Sequence, residues 1–219
     1  MHSNKLLQQF TLGAALCLLG ITNALAQYEP NDNYSKLVLS YQSSRFAEPV
    51  CIGLECHKGV AGPAVIYARQ MIPNLALGLS GSYLQSSGNT SSIKSSNGSV
   101  FVQGIMGLGS SFDVGASVAA LRTTLELCAT SVCSSTSDTG TDAGVFGKVF
   151  LTKEKSLSVT ASYNYISFQK SANQSIVALS VVGIIAKRHS LAFSVDRSIN
   201  ASGTSVSGGY GFGYSFLVY

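Results

Sequence analysis

The chain has 219 residues, with 14 Lys and Arg against 10 Asp and Glu for a net charge of +4. Charged residues make up only 11 % of it and acids lie between the bases, so no basic stripe presents itself to nucleic acid and no nucleic-acid partner is expected. The length is that of a single domain.

The chain opens with MHSNKLLQQFTLGAALCLLGITNALAQ, which sets Lys5 before an apolar run from Phe10 to Ile21 and then Ala24-Leu25-Ala26. This is the layout of a secretory signal peptide, predicting removal of residues 1–26 and a mature chain over 27–219. The apolar run is shorter than the roughly 17–25 residues a membrane-spanning helix requires. A second apolar stretch, SIVALSVVGIIA from Ser175, is rich in Val and Ile and reads as a strand.

Short runs then alternate apolar with small or polar residues, the period of a half-buried strand. In chain order they begin at Lys36 (KLVLSYQ), Ala64 (AVIYARQMI), Leu75 (LALGLSGSYL), Ser99 (SVFVQGIMGLG), Phe112 (FDVGASVAAL), Gly144 (GVFGKVFLT), Leu157 (LSVTASYNYISF), Ser175 and Ser190 (SLAFSVD). The chain closes on GYGFGYSFLVY, whose Tyr210, Phe212, Tyr214 and Phe216 share one face while Tyr219 falls on the other. These make about ten strands, with eight as the alternative, each long enough to cross a bilayer at a tilt.

The connections alternate too. Tight links at Pro73-Asn74, Ser110-Ser111, Lys153 to Lys155 and Lys187 to His189 are separated by longer polar stretches. Those stretches, expected as loops, are Ser44 to Gly62, Ser86 to Gly98, Cys128 to Ala143, Gln169 to Gln174 and Asn200 to Gly208. In strand pattern and rhythm the chain resembles a small outer-membrane β-barrel protein of Gram-negative bacteria. The resemblance implies an all-β, antiparallel, up-and-down transmembrane barrel with both termini periplasmic, the tight turns beside them and the long loops outside. It also implies lipid of the outer membrane as surroundings and the barrel-assembly machinery as a partner during insertion. No particular extracellular ligand or surface partner is legible.

Two short motifs, CIGLEC at Cys51 to Cys56 and CATSVC at Cys128 to Cys133, fall in expected outer loops of a secreted chain, where disulfides are the default. Adjacent pairing, Cys51 with Cys56 and Cys128 with Cys133, is preferred to cross-loop bridges or a metal site. His57 reads as a loop residue and His189 as a solvated turn residue, so no catalytic set, metal or cofactor is expected. By alternation Lys36, Arg69, Asp113, Lys148 and Asp196 are assigned as lumen charges, inward or interfacial, because a charge facing lipid near the midplane costs about 2–4 kcal/mol. Asp113 and Lys148 lie near the same ends of consecutive strands and are expected to pair. The reading that follows is a non-enzymatic envelope or surface-interaction barrel. A narrow passive-diffusion pore is the alternative, and a lipid- or peptide-modifying enzyme comes last.

Overall fold

The computed structural model describes residues 34–186, 188–200 and 206–217. The signal peptide expected over 1–26, and Tyr219, lie outside the described residues. Ten strands follow one another: β1 (Lys36–Ile52), β2 (Glu55–Ile72), β3 (Leu75–Ser87), β4 (Ser91–Gly107), β5 (Phe112–Ala129), β6 (Val132–Phe150), β7 (Leu157–Phe168), β8 (Gln174–Ala186), β9 (His189–Ser198) and β10 (Val206–Leu217). Each pairs antiparallel with its sequence neighbour, and β10 returns to β1 with Lys36 opposite Leu217, which closes an up-and-down barrel. Closure satisfies every backbone ladder without leaving an edge, the condition a sheet must meet inside lipid.

The expected strand starts hold at the end of the barrel that carries the termini, called here the terminal end. At the opposite, distal end the expectation of long loops needs correction. Ser44 to Gly62, Ser86 to Gly98 and Cys128 to Ala143 are mostly ladder, with β1 continuing to Ile52, β4 starting at Ser91 and β6 starting at Val132. Polar residues on both faces of distal β6, and an apolar phase reversed on β1 to β5, hide the alternation there, but cross-strand pairing continues because both faces meet water or protein.

Alternation sets the two faces. Ser158, Thr160, Ser162 and Asn164 of β7 point inward beside Ser180 of β8, Ser194 of β9, and Gly211, Gly213 and Ser215 of β10, through the pairs Thr160–Ser180, Ser180–Ser194, Ser194–Gly211 and Ser190–Ser215. Ser80 and Ser82 of β3 and Gly115 and Ser117 of β5 also point inward, as their alternation predicts. The outer face carries Leu39, Tyr41, Val65, Leu77, Leu79, Val100, Val118, Val145, Leu179, Phe193, Tyr210 and Phe212, all large, apolar and exposed. On β5 this outward apolar run spans eight residue steps from Phe112 to Ala120. At about 3.4 Å per step and a tilt near 40°, its height is about 20 Å, close to the apolar band of a bilayer-spanning barrel.

Beyond that band the amphipathic sense of the strands inverts. On β5 the outward residues become Arg122, Thr124 and Glu126, while Leu125 and Leu127 now point inward. Phe46 of β1, Val60 of β2, Leu84 of β3 and Ile93 of β4 do the same and pack with Val50 into a buried cluster against Ile52, Leu125 and Leu127. A second cluster of Tyr34, Ala76 and Ile105, with Phe146 against it, fills part of the terminal end. Side chains project freely there because inward Gly78 and Gly115 leave room for the rings of Phe101 and Phe146, which a Cβ would strike.

Candidate functional site: the lumen and the distal hairpins

The lumen charges separate into distinct environments. Asp113 is fully buried at the terminal end, directly across the ladder from Lys148, which is itself 6 % exposed. The Tyr34 hydroxyl donates to Asp113 Oδ2 at 3.0 Å, and Lys148 Nζ stands 5.4 Å from the Tyr34 ring centroid and 4.8 Å from that of Phe150. The expected pairing is thus a cross-strand juxtaposition organised around Tyr34, a residue the sequence pattern did not single out. Lys36 points inward at the same rim, its Nζ 6.0 Å from the Tyr34 ring. Asp196 is also inward, opposite Gly209 and Ala178.

Arg69 corrects the expectation of a lumen charge. It lies on the outer face with exposed Val65, Tyr67 and Met71, three residues before the end of β2. Its place at the strand end, outside the costly midplane, explains how an outward charge is tolerated there. Sequence reasoning also passed over Asp142, an inward carboxylate that accepts from Asn164 Nδ2 at 3.0 and 3.1 Å. Between these groups the lumen holds a cavity of about 380 Å³, whose lining joins hydroxyls of β7 to β9, such as Ser158, Thr160 and Ser180, to apolar side chains such as Val38, Ile66 and Phe146.

The distal hairpins are built more firmly than loops. Cys51 is bonded to Cys56 and Cys128 to Cys133, each pair directly opposite in its ladder with Cα atoms 4.0 Å apart. The first bridge closes a turn whose Gly53 takes φ +63°, a left-handed value that glycine adopts without strain. Glu55 reaches from this turn to the β3–β4 tip. Its carboxylate accepts from Asn89 N at 2.8 Å, from Thr90 N at 3.1 Å and from Ser91 Oγ at 2.5 Å. Those bonds, Ser91 foremost, hold the Glu55 carboxyl below the usual carboxylate range.

His57 corrects a second expectation, since it stands in the β2 ladder, 5 % exposed, rather than in a loop. Its Nδ1 lies 2.8 Å from Ser86 Oγ and its Nε2 2.8 Å from Ser91 Oγ. With Ser91 donating to Glu55, Nε2–H donates to Ser91 and Nδ1 accepts from Ser86, so the network assigns the tautomer. A nucleophile–base–acid triad needs the acid on the imidazole itself; here Ser91 stands between them, and the ring is a strut joining two hairpins. On the neighbouring outer face Lys94 Nζ donates to Glu126 Oε1 at 2.6 Å, which raises the lysine. Glu126, Cys128 and Cys133 lie close enough to suggest metal ligands, but both sulfurs are consumed in the disulfide. His189, expected as a solvated turn residue, begins β9 and packs against Tyr214 and Phe216, its ring centroid 5.7 and 5.3 Å from theirs.

No protein-family model matches the sequence, and no curated protein matches it. Among solved structures the chain is similar to the translocator domain of the autotransporter NalP from Neisseria meningitidis, at 13 % identity and a TM-score of 0.51, over 95 % of this chain and 98 % of that one. It is similar also to an outer membrane channel from Pseudomonas putida F1, at 10 % identity and a TM-score of 0.50, over 87 % and 98 % of the two chains. The fold is that of an outer-membrane β-barrel. A looser likeness, at 12 % identity and a TM-score of 0.44 over 83 % of this chain and 96 % of the other, joins it to Ail, the attachment invasion locus protein of Yersinia pestis. Tyr210, Phe212, Tyr214 and Phe216 take their place in such a barrel as the outward face of its closing strand.

Proposed function

We propose that the protein is an integral outer-membrane barrel with periplasmic termini, whose work is done outside the cell by the rigid hairpins of β1 to β6 and by no catalytic group. The observation that carries this reading is the inversion of amphipathic sense on β1 to β5. Below it the apolar side chains face outward, as lipid requires; above it they face inward and form a small core of their own. A loop that merely returned the chain would have no use for a core, two disulfides and the Glu55 grip. Tight turns at the terminal end support the orientation. Exposed Leu54 and Val132 at the two pinned tips offer apolar contact to a partner.

Single-channel recording of the refolded protein in a planar bilayer, with folding confirmed by a heat-dependent gel shift, tests this reading. The expected result is silence. Reproducible conductance steps would favour the second reading, a narrow pore, whose supporting observation is the lumen cavity of about 380 Å³ with Lys36 and Lys148 in its lining. Lys36, Lys148 and Asp196 would then be the residues to substitute for ion selectivity. Orientation is read separately in intact cells: a membrane-impermeant maleimide should label Ser131→Cys and spare Ser110→Cys.

A further inference from the structure

Arg45 and Arg197 are both exposed on the outer face and stand in one row of the ladder, on either side of Gly208. On its other flank Arg45 faces Gly59. Two strand spacings put the two arginine backbones about 9–10 Å apart, with only a glycine between them. Arg45 also lines a shallow cavity of about 390 Å³ together with Lys58, Ser43, Gln85 and Tyr210. Among the described residues, Arg45, Lys58 and Arg197 take part in no ion pair. The acid beside Arg197, Asp196, faces the lumen, and Glu48 lies beyond the bulge at Arg45/Phe46.

The level of this cluster matters as much as its charge. One outward position nearer the terminal end stand Tyr210 and Val195, and the next position holds Tyr41, Phe212 and Phe193. The cations thus sit directly beyond the outward aromatic residues Tyr210, Tyr41 and Phe212, at the level where lipid tails give way to headgroups. A guanidinium pair with a gap between is suited to bidentate phosphate contacts, and the lysine adds a point charge. A paired cation elsewhere on the outer face, Lys94 with Glu126, lacks that freedom.

We infer that Arg45, Lys58 and Arg197 form a binding site for the phosphorylated headgroup of an anionic glycolipid in the distal leaflet. The site rests on the outer-membrane orientation proposed above. Near an anionic surface each cation contributes about 1 kcal/mol, or about fivefold in affinity, so removing all three should weaken binding about 100-fold. The test uses the full mature protein, refolded in detergent and titrated with a bisphosphorylated lipid A, bound lipid being counted by native mass spectrometry. The variant R45Q/K58Q/R197Q should lose the bound lipid, while K94Q should keep it. The heat-dependent gel shift shows that each variant remains a folded barrel.

Equal retention of lipid A by the folded triple variant would overturn the proposal. So would equally tight binding of a soluble polyanion, such as inorganic triphosphate, because the site would then be reading a solute from outside. Maleimide labelling of the terminal turn instead of the hairpin tips in intact cells would show a wrong orientation. That result is distinct from a site that is correctly placed and fails to bind.

Discussion

Strands β4, β5 and β6 run for 17, 18 and 19 residues, whereas β7, β9 and β10 run for 12, 10 and 12. About 9–11 tilted residues cross a bilayer, so the short wall is scarcely more than its crossing. The tall wall carries about seven further residues per strand, roughly 23 Å of extra ladder. The short wall is held by lipid outside and hydroxyls inside. The tall wall needs a second stabilising device above the membrane, and it supplies one by turning its apolar side chains inward. One sheet therefore obeys two solvents, and the strand that shows the changeover most plainly is β5, between Ala120 facing out and Leu125 facing in.

The largest effect should come from the core that only the tall wall possesses. Ile93 is fully buried in it, and Ile93→Ala should cost about 2–5 kcal/mol through lost transfer and a residual cavity. Hydrogen exchange should report the loss in the distal halves of β1 to β5 while β7 to β10 keep their protection. If instead the whole barrel loosened uniformly, the two walls would form one cooperative unit and the comparison would fail.

Next in size is the lipid face of the short wall. Leu179 is an exposed outward residue of β8, and Leu179→Arg should destabilise the barrel by about 2–4 kcal/mol when unfolding is followed by urea titration in lipid vesicles. Ser135→Arg, an outward exchange on the extension of β6 opposite Glu126, should cost nothing measurable. Equal penalties at the two sites would place the lipid boundary in the wrong position.

This contrast explains what the sequence discloses. The crossing portion was legible strand by strand, because lipid forces apolar residues outward and leaves Ser, Gly and Ala inside. Thus the reading of β7 from Leu157 to Phe168 matches residue for residue. The distal ladder was not, since Ser95, Ser135 or Thr139 gives no alternation when neither face meets lipid. A trace of it exists in ALRTTLEL, where the apolar phase slips by one residue at Leu121. Local pattern says nothing about His57 or Tyr34, whose partners lie 29 to 79 residues away. Arg69 was misplaced because alternation was applied without asking how close to the strand end the charge lay.

A third, smaller effect concerns the pinned tips. A six-residue disulfide loop restricts the open hairpin by about 2 kcal/mol in the chain-entropy model. Cys128→Ser with Cys133→Ser should therefore speed exchange of the amides around Thr130 and leave the global transition of the barrel nearly unchanged. A matching drop in global stability would mean that the tall hairpin of β5 and β6 helps to hold the crossing itself.

The smallest predicted effect has a sign fixed by the Glu55 grip. Its carboxyl is depressed in the folded protein, chiefly by the Ser91 hydroxyl and further by Thr90 and Asn89. Such a group stabilises the fold above its unfolded pKa and loses that contribution as pH falls through the folded value. The contact between the β1–β2 and β3–β4 tips should then loosen as pH falls below the ordinary glutamate range, about pH 4, seen as faster exchange at Asn89 and Thr90. Asp138 behaves alike in direction: burial pushes it up, but hydrogen bonds from Ser171, Lys170 and Thr139 outweigh that and lower it. It ties β6 to the β7–β8 loop rather than to Glu55, so Glu55→Gln separates the two. That variant should abolish the acid response at Asn89 and leave the one at Ser171 intact. A variant that still loosened at Asn89 in acid would assign the latch to another group.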